Sequence, residues 1–149
     1  MGTFAGVFTK PKLRFRRYEA IRAVERSEDE WRAQLSAEQF RVLRQRGTER
    51  PFSGPAVRPD ATGVYCCAGC GAALFPTQAK FESGTGWPSF SDALADNVDL
   101  RRDFSLGVPR TEVRCRACGG HLGHVFRDGP APTRQRYCIN ASALASDGT

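Results

Sequence analysis

From Ser27 onward the apolar positions follow two successive rhythms. Ser27-Glu28-Asp29-Glu30 forms a capping box, in which a serine hydroxyl and a glutamate three residues on satisfy each other's backbone N–H groups. Trp31 and Leu35 then share one helical face. A second box, Ser36-Ala37-Glu38-Gln39, is followed by Phe40 and Leu43 at helical spacing, with Gly47 as the stop. The pattern predicts two short helices, over 28–35 and 37–46, whose Trp31, Leu35, Phe40 and Leu43 stripe is packing surface. Pro51 to Pro59 reads as loop. Beyond it the rhythm changes to short apolar runs broken by Gly, Pro, Asn and Asp. These predict strands at Gly63–Cys66, Ala73–Phe75, Ser89–Phe90, Phe104–Val108, Glu112–Cys115, Val125–Phe126 and Arg136–Ile139. Many short strands behind a helical start argue for an antiparallel β body.

The length of 149 residues suits one domain, and 40% apolar with 26% charged residues is an ordinary globular mix, which excludes a wholly disordered or fibrous chain. No run approaches the roughly 18 apolar residues of a membrane span. No N-terminal apolar stretch of about 7–15 residues is present, so a secretory leader is not expected and the cytoplasm is the default location. The net charge of +6 is unevenly placed: residues 1–26 carry +5 and the remainder +1. The basicity therefore belongs to an arm with weak helical character near Tyr18–Val24. That arm is either a solvated tail or a segment that touches a partner or directs the chain to an organelle.

Six cysteines change the picture most. Cys67-Ala68-Gly69-Cys70-Gly71 and Cys115-Arg116-Ala117-Cys118-Gly119 share the pattern C-x-x-C-G. Two residues between thiolates let both sulfurs face one cation from a tight turn, and the following glycine permits a left-handed backbone. Two such knuckles supply the four thiolates of a structural zinc site, predicting one Zn²⁺ on Cys67, Cys70, Cys115 and Cys118 that clamps distant strands together. Two disulfides or free thiols are the competing reading.

Cys138 lies outside both knuckles. Strand alternation puts it on one face with Arg136 and Asn140, and Tyr137 and Ile139 on the other. Arg136 would favour the thiolate, so Cys138 is a candidate nucleophile. The chain's two histidines, His121 and His124, are three apart and flanked by glycine. They read as an acid–base pair, with His121 as a substitute zinc ligand the alternative. Trp87, between Thr85-Gly86 and Pro88, suits either a pocket wall or the core.

With these residues in view, the chain resembles the methionine-R-sulfoxide reductase B family. The motifs are Gly47-Thr48-Glu49-Arg50-Pro51-Phe52, Lys80-Phe81-Glu82-Ser83-Gly84-Thr85-Gly86-Trp87-Pro88-Ser89-Phe90, His121-Leu122-Gly123-His124-Val125-Phe126-Arg127-Asp128-Gly129-Pro130 and Arg136-Tyr137-Cys138-Ile139-Asn140. The resemblance covers about Trp31 to Leu144. It implies a mainly β fold of two antiparallel sheets with short N-terminal helices and a four-cysteine zinc clamp. Residues 1–26 are then a basic arm and 27–149 a single catalytic domain. It further implies Cys138 as nucleophile, His121 and His124 as active-site histidines, Arg136 and Asn140 as polar supports, and Trp87 with Asp128 on the substrate side. The substrate is oxidised methionine, free or in proteins. The sulfenic acid left on Cys138 is reduced by thioredoxin or a small thiol. The protein is expected to be a monomer with no nucleic-acid or membrane partner. Many family members carry a resolving cysteine where this chain has Thr85. That leaves either an external thiol or Cys66 for the task. Thr133-Arg134 also departs from the family's usual Thr-Gly. A zinc-ribbon module binding nucleic acid or protein is the alternative to an enzyme.

Overall fold

The computed structural model describes residues 23–146. Helix α1 (Glu28–Gln34) and helix α2 (Ala37–Gln45) begin at the two expected capping boxes. Ser27 accepts from the Glu30 N–H and Ser36 from the Gln39 N–H, and both reciprocal bonds are made. The stop after α2 differs from expectation. The left-handed residue is Arg46, with φ 58°, while Gly47 donates its N–H to the Arg41 carbonyl at 2.9 Å. Trp31, Leu35, Phe40 and Leu43 are all buried, as the helical stripe requires.

Two antiparallel sheets follow. Strands β1 (Val64–Cys66) and β2 (Ala73–Pro76) form the smaller. The larger has six strands: β3 (Lys80–Phe81), β4 (Ser89–Phe90), β5 (Val98–Asp103), β6 (Arg110–Cys115), β7 (His121–Phe126) and β8 (Arg136–Ile139). Their spatial order is β3-β4-β8-β7-β6-β5. The fold is thus mainly β, two antiparallel sheets with short N-terminal helices. The core joins both sheets to the helices. Phe75 of β2 stacks on Phe90 of β4 at 4.4 Å between ring centroids and meets Tyr137 of β8 edge-on. Helix α2 lies against β7 and the 3-10 turn Ala141–Ala143 that follows β8.

The expected strand Phe104–Val108 is not a strand. It is the turn of the β5–β6 hairpin, closed by the Gly107 N–H on the Phe104 carbonyl at 2.9 Å with Gly107 at φ 80°. Its alternating Phe104, Leu106 and Val108 imitate a half-buried strand but are exposed. The true strand, Val98–Asp103, is at the edge of the sheet, and its exposed Leu100, Arg101 and Arg102 mask the alternation. Strand β7 starts at His121, four residues before the expected Val125. Glycine 123 hides it from a propensity reading, yet the strand needs glycine there: a Cβ would come within 2.1 Å of the Cys138 carbonyl oxygen. Of the Tyr18–Val24 helix, residues 18–22 lie outside the described part. Val24 is not helical, and its N–H donates to the Ala117 carbonyl at 2.7 Å.

Candidate active site

Strands β7 and β8 pair so that His124 stands directly opposite Cys138. Side chains so paired on one face of an antiparallel ladder have Cβ atoms about 4.5–5.5 Å apart. Ser89 and Glu112 extend this row, through the pairs Ser89–Cys138 and Glu112–His124. A cavity of about 340 Å³ opens over it, lined among others by Thr85, Trp87, His124, Arg136, Cys138 and Asn140. Five of the seven residues expected in or beside a site therefore share one cleft.

His121 is beside the cleft but not on its wall. Strict alternation would send residues three apart to opposite faces. A bulge at the Val113–Arg114 register shift places two residues of β7 against one step of β6, and the extra residue is Leu122. The two imidazoles consequently lie 5.5 Å apart between centroids, edge to face, with His121 2% and His124 8% exposed. Each ring is held by a buried carboxylate. His121 Nδ1 lies 2.6 Å from Glu112 Oε2, and His124 Nε2 lies 2.7 Å from Asp103 Oδ2. An ionised carboxylate only accepts, so these nitrogens carry the hydrogens. His121 Nε2 and His124 Nδ1 are then the nitrogens left for chemistry. His121 Nε2 is buried and has no hydrogen-bond partner among the described residues. The hydrogen bond from His124 holds the Asp103 carboxyl well below the usual carboxylate range, with the Ser105 N–H in support. Burial works against ionisation of Glu112, but the His121 bond and the nearby arginines win, and its carboxyl is also lowered. Burial depresses His121 despite Glu112, which keeps the ring neutral near neutral pH.

Cys138 is half-buried, and one expectation about it needs correction. Arg136 and Thr85 do favour the thiolate, but burial outweighs them and the resting thiol is pushed up from its ordinary value. A thiol so raised holds its proton at neutral pH, and the residue opposite it across the ladder is His124. Arg136 donates from Nε and Nη2 to the two oxygens of Asp128, at 2.9 and 3.2 Å, and lies over the Phe126 ring. Asp128 is an exposed clamp on Arg136. Asn140 joins chain segments: its Oδ1 accepts the Glu49 N–H at 3.0 Å and its Nδ2 donates to the Leu122 carbonyl at 3.0 Å. The Trp87 indole N–H donates to the Glu49 carbonyl at 3.0 Å, which fixes the ring at the cleft wall.

Three residues that carry this geometry escape a sequence reading. Glu49 is buried, its carboxylate accepting the N–H groups of Ala141 at 2.7 Å and Ser142 at 2.9 Å. Asp103 and Glu112 come from β5 and β6. Glu112 left a signal, an acid opening an expected strand next to Val113, and Glu49 stands in the quoted motif that begins at Gly47; Asp103 left none, because its strand lies outside the expected ones.

The four knuckle cysteines converge between the sheets, their sulfurs all within 4.8 Å of one another. Cys67 and Cys118 sulfurs are 3.8 Å apart and those of Cys70 and Cys115 are 3.6 Å apart. A tetrahedral ion with bonds of about 2.3 Å to thiolate sets its sulfurs about 3.8 Å apart, so the donor set fits a metal, whereas a disulfide needs about 2.05 Å. Gly71 and Gly119 have φ 81° and 76°, the left-handed turn expected after each knuckle. Cys66 is in the small sheet, away from the cleft walls. Its thiol contacts Asp60 Oδ2 at 3.6 Å, and burial together with Asp60 pushes it up to about 12. No helix among the described residues is long and apolar enough to cross a membrane.

Similarity to known proteins agrees with this arrangement. The family model described as SelR domain matches residues 35–147. A peptide methionine sulfoxide reductase MsrB from Methanosarcina barkeri is 58% identical over 126 residues, covering 84% of this chain and 89% of that protein. Proteins of the same name from Bradyrhizobium diazoefficiens (57% identical over 120 residues; 80% and 86% covered) and Leptospira interrogans (52% over 122; 81% and 93%) are similar to it as well. The chain belongs to the SelR-domain family, among whose members are the peptide methionine sulfoxide reductases MsrB.

Proposed function

We propose that the protein reduces the R epimer of methionine sulfoxide, free or in proteins, to methionine. The observation that carries this reading is the pairing of Cys138 with His124 across β7–β8, at the wall of a cleft bounded by the Trp87 indole. The sulfoxide sulfur is electrophilic, but its oxygen leaves only when protonated. His124 Nδ1 takes the Cys138 proton as the thiol sulfur attacks and returns it to the oxygen, with His121 in support. The methionine S–O bond breaks and the oxygen ends on Cys138 as a sulfenic acid. The sulfoxide gains two electrons and Cys138 loses two. A first external thiol forms a mixed disulfide and releases water; a second frees Cys138 and leaves as disulfide. Thioredoxin or a small thiol fills that role. Thr85 offers no internal thiol, and the raised Cys66 thiol is a poor nucleophile. The indole receives the S-methyl group and rejects the epimer that would press its oxygen on the ring.

Four soft thiolates in a closed tetrahedral set suit Zn²⁺, which would supply a structural cross-link with no open position for substrate. Residues 27–149 form the catalytic domain and 1–26 a basic arm. A nearly neutral body with a thiol-bearing cleft favours an enzyme over a nucleic-acid or protein-binding module. Dependence on reduced thiols suits a protein working in the cytoplasm.

The test uses peptides carrying resolved R and S methionine sulfoxide, with zinc measured on the same sample. The wild type should reduce only the R form. Cys138→Ser should fall below about a thousandth of that rate with zinc content unchanged. Near-wild-type turnover in the serine variant refutes the assignment.

A further inference from the structure

A helix that ends in a left-handed residue ordinarily places glycine or asparagine there, because a side chain at positive φ costs about 1 kcal/mol. Helix α2 places Arg46 there, at φ 58°. The side chain shows what offsets that cost. Arg46 Nη2 lies 3.3 Å from Asp103 Oδ1 and Arg46 Nε lies 3.4 Å from Glu112 Oε2. These are the two carboxylates that hold His124 and His121. Each has another arginine, Arg110 on Asp103 at 3.3 Å and Arg114 on Glu112 at 3.1 Å, but among the ion pairs of the described residues only Arg46 reaches both.

We propose that Arg46 is a positioning residue of this site: by bridging Asp103 and Glu112 it holds both carboxylates where they orient His124 and His121, leaving each ring one nitrogen free for the reaction. The inference rests on the reading of Cys138 and the histidines as the reacting set. The backbone conformation and the side-chain geometry support it independently. The carboxylates come from different strands, β5 and β6, and the histidines from one strand with a bulge between them. A planar guanidinium fixed at a helix end spans that irregular array as a single rigid fork, which a lysine, with one point charge, does less well.

The bridge also has an electrostatic consequence. The groups facing the two rings are Asp103 from β5, Glu112, Arg110 and Arg114 from β6, Cys138 and Arg136 from β8, and Arg46 from the end of α2. Glu112 pulls the His121 ring toward imidazolium; burial opposes it most strongly, and Arg46 adds to that opposition. Arg46 therefore adds to the burial that keeps His121 neutral, with Nε2 able to accept.

The chain has only two histidines, so their ring signals can be followed by NMR in the intact protein. Arg46→Gly relieves the left-handed strain and should fold. It should raise the His121 titration midpoint by about half to one unit, the order expected for losing one nearby partly screened charge. Arg46→Lys should recover at least half of that shift. In sulfoxide turnover Arg46→Gly should lower kcat about 3–10-fold with KM within about twofold, the mark of misaimed groups and not of lost binding. An unchanged His121 titration in folded Arg46→Gly overturns the inference. So does a shift of the same size in Arg46→Lys, since a positive charge kept at that position would then make no difference to the ring. If the titration moves as stated and the wild type reduces no sulfoxide, the bridge stands and the proposed reaction falls.

Discussion

At the scale of single residues, the site is governed by opposing effects on one sulfur. Burial raises the Cys138 thiol, and Arg136 and Thr85 lower it without prevailing. A raised thiol yields thiolate only at higher pH. Alkylation of Cys138 by iodoacetamide should therefore have its midpoint above the ordinary value of about 8.5. In Arg136→Gln the opposing charge is gone and Asp128 loses its partner, so both changes push in the same direction and the midpoint should rise further. A midpoint that falls or stays would show that Arg136 does not act on the sulfur. The sequence placed Cys138 and Arg136 on one face, because alternation is a local property of a strand. It did not show the balance between them, because burial depends on what covers that face.

At the scale of elements, the capping boxes and knuckles were legible because each is a contact between residues three or four apart. The β7–β8 ladder was not. Its decisive feature is a close approach, with Gly123 against the Cys138 carbonyl. Gly123→Ala should cost about 1–3 kcal/mol, as overpacking of a rigid neighbour does. It should also lower kcat, since the displaced backbone is that of the Cys138–His124 pair. Gly107→Ala is the control: at φ 80° with nothing within 4 Å of an added Cβ, it should cost about 1 kcal/mol for conformation alone and spare turnover. Urea unfolding and steady-state kinetics separate the two. Equal losses would show that strand contact at Gly123 is not what sets the pair. The misread hairpin teaches the converse. Phe104, Leu106 and Val108 alternate like a strand, yet a glycine turn and exposure, not pattern, decided their place.

At the scale of the whole molecule, the four-cysteine site links the two sheets. Cys67 and Cys70 lie in the β1–β2 connection, Cys115 ends β6 and Cys118 precedes β7. Beside it, Arg44 of α2 donates to the Cys118 carbonyl at 2.9 Å, so the helices lean on the same knuckle. Stripping the metal with a chelator should destabilise the fold by at least about 2–5 kcal/mol, the range for losing a native cross-link in a small domain. Thermal melting with metal release followed by a colorimetric chelator checks this; an unmoved melting curve after full release would show that the sheets hold without it. By itself the chain determined its helix starts, its knuckles and the one thiol outside them, all set by interactions within a few residues. Only the tertiary structure decided which histidine faces that thiol, which carboxylates hold the rings and that burial keeps the sulfur protonated. Those outcomes depend on register, a bulge and charges brought together from β5, β6 and α2, and no local pattern encodes partners that far apart in the chain.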